Sequence, residues 1–115
     1  MARLNHLLLL IALLPSISVA ATLEDEVAYL ISVVDRGDCT FVRNDIAYTY
    51  GEFQLHLRSK WQQNEELISS AEDFIEKIAT RSSVSGRPYV ALCEGELLIV
   101  KDWLSGLLAS YWRSN

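Results

Sequence analysis

The sequence is poor in the residues from which metal sites and thiol redox centres are built. It holds two histidines, His6 and His56, and two cysteines, Cys39 and Cys93, among 115 residues. A zinc site needs three or four suitable ligands, and the carboxylates lack the Asp-x-Asp-x-Asp spacing of a calcium loop. No Cys-x-x-Cys pair is present to lower a thiol pKa, and no Gly-x-Ser-x-Gly segment marks a serine nucleophile. We therefore expect no metal, no cofactor and no dedicated catalytic residue.

Long apolar runs are also missing. The apolar run Leu7–Leu14 is much shorter than the roughly 20 residues that span a bilayer, and it lies between Arg3 and the small-x-small segment Ser18-Val19-Ala20. This order is typical of a cleavable secretory signal. Residues 1–20 are predicted to be a signal peptide, cleaved after Ala20 or the next alanine, and residues 21–115 a single domain. The predicted location is periplasmic or secreted, without stable membrane insertion after cleavage.

Positive charge is scarce. The chain has ten Lys and Arg against fifteen Asp and Glu, and removal of Arg3 with the signal leaves nine against fifteen, a net charge of about −6. Nucleic acid and anionic lipid are bound through clustered positive charge. Nucleic acid is therefore not an expected partner, and the predicted partner is an unknown protein or another component of the cell envelope.

The two cysteines, Cys39 and Cys93, are predicted to form a disulfide, because an exported domain of this size folds in an oxidising compartment. In the chain-entropy model, closing the loop between the two cysteines stabilises the folded state by roughly 4 kcal/mol. A redox or catalytic thiol is the alternative interpretation, and it lacks the sequence context that such thiols need.

The periodicity of the mature region predicts an α+β fold: a small single domain with about four helices packed on a short antiparallel sheet, and one disulfide. Capping residues Thr22, Thr49 and Ser70 each precede an apolar pattern of helical spacing. Gly37, Asn44-Asp45 and Glu94-Gly95-Glu96 are placed as turns. The predicted helices cover about 23–35, from 50 onward, 71 to about 81, and from 101 or 102 onward; the predicted strands cover 39–43, 46–48, 89–93 and 97–100.

Four short motifs occur in one order, and together they resemble the YfeK-like family of small exported bacterial proteins, a domain of unknown function. The resemblance covers roughly residues 41–89, and it implies export and a shared fold. It supplies no catalytic residue, cofactor or substrate to transfer. The sequence differs from the usual family pattern at Asp45 and Phe53. The motifs are Phe41-Val42-Arg43-Asn44, then Glu52 with His56-Leu57 and Lys60, then Ala71-Glu72-x-Phe74-Ile75, then Ser82-Ser83-Val84-Ser85-Gly86-x-Pro88-Tyr89.

Polar residues of these motifs form the predicted ligand-binding set. The serine-rich segment 82–87 offers hydroxyl groups, a glycine bend and guanidinium groups that suit a carboxylate or phosphate. We expect a binding site if the fold brings this segment beside the turn at residues 43–44 and the second helix; otherwise it is an ordinary polar turn. The set consists of Arg43, Asn44, Glu52, His56, Lys60, Ser83, Ser85 and Arg87.

Three functions follow as hypotheses. The first is a non-enzymatic binding or accessory module of the cell envelope. The second is an inhibitor or immunity-type protein for an envelope hydrolase or toxin, which suits export and an acidic surface. The third is a small hydrolase with His56 as general base, Glu52 orienting it and a serine of the 82–85 segment as nucleophile. Trp112 is predicted to contact a partner, because it lies beside the apolar stripe of the last helix.

Overall fold

The computed structural model describes residues 21–114, which fold into helices on one face of a four-stranded antiparallel sheet. The predicted signal peptide, residues 1–20, lies outside the described residues. The elements are α1 (Leu23–Ser32), β1 (Thr40–Arg43), β2 (Ile46–Tyr48), α2 (Tyr50–Gln62), α3 (Ala71–Lys77), β3 (Val90–Cys93), β4 (Glu96–Ile99) and α4 (Val100–Ser114), with short 3-10 turns at Val33–Asp35 and Glu65–Leu67.

Side-chain caps define the starts of three helices, as the sequence predicted. The hydroxyl of Thr22 accepts from the amide of Asp25 at 3.1 Å, and that of Thr49 accepts from the amide of Glu52 at 3.2 Å. Each acid in turn accepts from the amide of its threonine, which completes two capping boxes. At the start of α3 the hydroxyl of Ser70 accepts from the amide of Asp73 at 3.0 Å, and the carboxylate of Asp73 accepts from Ser69 instead of from its cap residue. These bonds satisfy amides that the first helical turn leaves without a partner.

Two tight hairpins build the sheet in the order β2-β1-β3-β4. The first turn places Asn44 and Asp45 at φ 53° and 65°, and the second places Glu94 and Gly95 at φ 52° and 81°. Two consecutive residues with positive φ are typical of the two-residue hairpin turns whose twist matches that of the strands. Asn and Asp tolerate this region better than most residues because their side chains bond locally. The turns predicted at Asn44-Asp45 and at Glu94-Gly95-Glu96 are confirmed.

Aromatic residues fill the core between the sheet and the helices. Phe41 of β1 stacks on Phe53 of α2 with ring centroids 4.5 Å apart, and Tyr89 meets Phe53 edge to face at 5.3 Å. These contacts lie among buried residues of all four helices, including Leu30, Phe74 and Leu104. The predicted fold class is therefore confirmed.

The disulfide joins Cys39, directly before β1, to Cys93 at the end of β3, with 4.3 Å between the Cα atoms. The pairing of Thr40 with Leu92 continues by one residue to place the two cysteines opposite each other. The predicted disulfide is confirmed, and it ties neighbouring strands at the end of the sheet away from the Asn44 turn.

Helix boundaries differ from the prediction at two places. Helix α3 ends at Lys77 rather than near Arg81, because the chain turns inward and buries Ile78, Ala79 and Thr80. The hydroxyl of Thr80 donates to the carbonyl of Ile75 at 2.6 Å and replaces further helical bonding there. Helix α4 begins at Val100, directly after β4, so no loop separates the strand from the helix.

Candidate functional site

A cleft of about 270 Å³ lies between α2, the first hairpin turn and the loop 81–88. Alternation along β1 places Phe41 in the core and Arg43, two residues later, on the same side at the end of the strand. One helical face of α2 supplies residues three and four apart, and the loop supplies the opposite wall. The lining residues are Arg43, Asn44, His56, Ser59, Lys60, Gln63, Ser82, Ser83, Val84 and Tyr89.

The phenol of Tyr89 forms the floor of the cleft, and only 1% of this residue is exposed. Its hydroxyl oxygen lies 2.9 Å from Nε2 of His56 and accepts from Nζ of Lys60 at 3.2 Å. Lys60 also donates to the carbonyl of Arg81 at 2.9 Å. Since Lys60 is the donor to Tyr89, the phenolic hydrogen remains available for a neutral His56 whose own proton is on Nδ1. These bonds hold two α2 side chains in place above the loop.

The cleft carries positive charge, from Arg43 and Lys60. Burial, followed by the charges of Arg43 and Lys60, lowers the pKa of His56 to about 4. Burial, followed by Arg43 and Arg81, also lowers the pKa of Lys60, and burial raises the pKa of Tyr89. His56 is therefore neutral at physiological pH, because burial disfavours a charged imidazolium and the two neighbouring cations repel it.

Two exposed contacts attach the loop 81–88 to the first hairpin turn. The hydroxyl of Ser85 donates to the side-chain oxygen of Asn44, and the guanidinium of Arg87 pairs with the carboxylate of Asp45. Within the loop, the buried hydroxyl of Ser82 accepts from the amides of residues 84 and 85 at 3.1 and 3.3 Å. The loop therefore has a bonded shape of its own and two links to the neighbouring wall of the cleft.

The structure brings together five of the eight residues of the predicted ligand-binding set. Arg43, Asn44, His56, Lys60 and Ser83 all line the cleft.

The other three members of the set have different positions. Ser85 contacts the cleft wall through Asn44, and Arg87 is engaged by Asp45 on the outer side of the loop. The carboxylate of Glu52 accepts from the amide of Thr49 at 2.8 Å as part of the cap of α2.

Sequence reasoning missed Tyr89 and the α2 residues Ser59 and Gln63. His56, Ser59, Lys60 and Gln63 are three and four residues apart, so helical spacing alone predicts a common face. The position of Tyr89 had no such local signal, because its hydroxyl meets α2 across 33 residues of sequence.

Trp112, the predicted partner contact, lies on α4 and is 45% exposed. Its indole N–H donates to the carboxylate of Glu26 on α1. It also lines a second groove, of about 430 Å³, between α3 and α4, together with Ile75 and Leu108. This groove is separate from the cleft, so Trp112 does not share a site with the predicted ligand-binding set.

Within residues 21–114, no group of three or more His, Cys, Asp or Glu is placed to hold a metal ion. No helix in the same part of the chain is long and apolar enough to cross a membrane.

Comparison with known proteins places the chain among proteins without an assigned activity. The model of a family described as "Family of unknown function (DUF5329)" matches residues 21–112. The chain belongs to this family. The match includes every strand and helix described above except the last two residues of α4, and it confirms the resemblance noted from the motifs.

A curated relative gives the same result. The uncharacterised protein YfeK of Salmonella typhimurium is 42% identical over 62 residues, which are 54% of this chain and 52% of that protein. The chain thus spans about half the length of this relative. No solved structure matches the chain.

Proposed function

We propose that the protein is a non-enzymatic binding module of the bacterial cell envelope, and that its cleft binds a carboxylate or phosphate group on an envelope component. One observation carries the proposal: Arg43 and Lys60 converge on the cleft, and no carboxylate of residues 21–114 forms an ion pair with either of them. The whole chain has a formal net charge of −5, so this local excess of positive charge runs against the overall balance.

An anion in the cleft would offset the repulsion among its positive groups. Burial, followed by the charges of positive neighbours that include Arg43, lowers the pKa of both His56 and Lys60. A bound carboxylate or phosphate would favour the charged form of Lys60 and accept hydrogen bonds from it and from Arg43. A cleft lined by one sign of charge also raises the local concentration of counter-ions.

Uncharged groups around the cations supply further donors for the same ligand. The hydroxyl of Ser83 and the side-chain amide of Gln63 line the cleft beside Lys60. Lys60 already directs two hydrogen bonds to Arg81 and Tyr89, and its ammonium group has three donors. One donor therefore remains for a ligand, on a side chain whose position the other two bonds define.

The hydrolase hypothesis has less support from the same geometry. Glu52 does not orient His56, because its carboxylate completes the cap of α2. The Nε2 atom of His56 is directed to the phenol of Tyr89 rather than to a serine hydroxyl. A serine nucleophile needs a base within hydrogen-bond reach that a third group orients, and neither contact supplies that arrangement.

The proposal is tested by NMR titration of the purified protein with sodium phosphate and, separately, with sodium acetate, each at constant ionic strength against sodium chloride. We expect saturable shifts of the amides near residues 43–44, 56–60 and 82–84. The double substitution of Arg43 and Lys60 by Gln should abolish them, since glutamine keeps a donor but removes the charge.

The matched control is Arg58→Gln, because Arg58 is exposed on the same helix two residues from Lys60 and points to another side. It should leave the shifts unchanged. Equal shifts with chloride, or shifts that survive the double substitution, would refute an anion site. The double variant is also the control for affinity capture from envelope extract, where the molecule that only the unmodified protein retains identifies the natural source of the anion.

A further inference from the structure

The face of the sheet that points away from the helices is apolar and carries no charge. Phe41 and Ala91 are buried against the helices, and side chains alternate between the two faces of a strand. Their neighbours Val42, Val90 and Leu92 therefore point outward. The same alternation directs Leu98 toward the core and the residues on either side of it outward.

The strand register arranges the outward residues in two rows across the sheet. Val42 pairs with Ala47 and with Val90, and Val90 pairs with Ile99. In the next row, Leu92 pairs with Thr40 and with Leu97. We call these seven residues the outer sheet face; they are Thr40, Val42, Ala47, Val90, Leu92, Leu97 and Ile99.

Large side chains of the outer sheet face are open to solvent. Leu92 is 44% exposed, Leu97 61% and Ile99 40%. An antiparallel sheet with one solvated face ordinarily alternates apolar with polar residues, whereas strands covered on both faces have continuous apolar runs. Strands β3 and β4 contain the runs Val90–Leu92 and Leu97–Ile99. Their composition is that of strands covered on both faces, although in residues 21–114 helices cover only one.

We infer that the outer sheet face is the contact between two copies of this protein, which pack sheet against sheet about a two-fold axis. Two apolar sheet faces pack about 10 Å apart as in a β-sandwich, and a two-fold interface uses the same patch on both copies. The apolar face of one copy therefore packs against the same apolar face of the other.

Charge permits a second copy at the outer sheet face and opposes an anionic occupant. Fifteen acidic residues against ten basic ones make most contacts between copies repulsive, because like charges come together. The outer sheet face has no charged side chain, so two copies can meet there without bringing carboxylates face to face. The same acidic excess opposes contact with an anionic lipid surface.

The size of the outer sheet face predicts a weak dimer. Four strands about 4.8 Å apart make the face about 19 Å wide, and each strand contributes only one or two outward residues. Such a contact buries less than the roughly 1,200 Å² of a small stable interface. The dimer should therefore depend on protein concentration and exchange rapidly.

Sedimentation velocity of the full purified protein, from about 10 µM to about 1 mM, tests the inference. We expect the average mass to rise toward twice that of the monomer. Leu97→Glu should weaken association at least about tenfold, because it places a carboxylate from each copy in an apolar contact. Leu67→Glu is the matched control, since Leu67 is equally exposed at 61%, lies outside the sheet and receives the same charge. Thermal melting of each variant verifies that it is folded.

Three results would overturn the inference. The first is a protein that stays monomeric over the whole range, and the second is a dimer that Leu97→Glu and Leu67→Glu affect equally. The third is a monomer that floats with vesicles of phosphatidylcholine, which has no net charge, unless Leu97 is replaced by Glu; that result would make lipid the occupant of the outer sheet face. Concentration-dependent NMR shifts confined to β3 and β4 would support the two-copy contact directly.

Discussion

Stability of this protein should fall as the pH is lowered from 7 to 5, and His56 is the group responsible. His56 is the single histidine among residues 21–114. Its folded-state pKa is about 4, chiefly because of burial and then because of Arg43 and Lys60. An unfolded chain has no such burial, so its histidine titrates near the ordinary value of about 6.5.

The sign and size of this change in stability follow from proton linkage. Between about pH 6.5 and pH 4 the unfolded state binds a proton that the folded state does not, so acidification favours unfolding in that window. The two pKa values correspond to a decrease of about 2 kcal/mol in the free energy of unfolding between pH 7 and pH 5. Partial exposure of the ring to solvent reduces the expected effect to about 1 kcal/mol. Carboxylates such as Asp73 and Glu76, whose pKa values are lowered, lose their contribution mainly below about pH 5, which is below the range of pH 5 to 7 that the assay covers.

The assay is urea unfolding at several pH values between 5 and 7, with His56→Gln as the comparison. Glutamine retains a hydrogen-bonding partner for Tyr89 and has no titratable proton. The unmodified protein should lose stability across the window, and the variant should show a flatter profile. NMR titration of the His56 ring should give a midpoint well below 6.5. If both proteins have parallel pH profiles, or if the ring titrates near its ordinary value, the electrostatic description of the cleft is wrong.

Three further predictions concern the disulfide, the cleft and a helix cap. Reducing the bond between Cys39 and Cys93, which are 54 residues apart, should lower the free energy of unfolding by about 4 kcal/mol, seen as a lower urea midpoint than that of the oxidised protein; coincident midpoints would contradict it. Arg43→Gln should raise the pKa of His56 in an NMR titration because it removes one of the positive charges, whereas an unchanged midpoint would show that Arg43 contributes nothing to the lowered pKa. Thr49→Ala should cost about 1 kcal/mol of stability through the lost cap, and thermal melting measures this; an unchanged melting temperature would show that the cap contributes nothing.

The helix starts, the hairpin turns and the disulfide could be predicted from the sequence because each depends on residues close together along the chain or on the chemistry of a single pair. A threonine caps the helix that follows it within three residues, and Asn44-Asp45 suits a turn at its own position. Local sequence patterns did not predict where α3 ends. That boundary depends on the burial of residues 78–80 under other elements, which no local pattern encodes.

The candidate site was only half predictable for the same reason. Local motifs indicate Arg43, His56 and Lys60 as candidate binding residues, but they do not determine whether the three side chains converge. Glu52 shows the limit of spacing arguments: four residues before His56 it suggested an orienting carboxylate, but the nearer amide of Thr49 binds it.

The amino-acid sequence by itself determined the α+β class, the order of the elements, three helix caps, two hairpin turns and the disulfide, because these depend on short-range bonding and on residue type. Only the tertiary structure decided that β1, α2 and the loop 81–88 enclose one positive cleft around Tyr89. It also decided that one face of the sheet remains apolar and uncovered within residues 21–114. Both depend on which distant segments pack together, and that choice is set by the burial of the whole core rather than by any single stretch of chain.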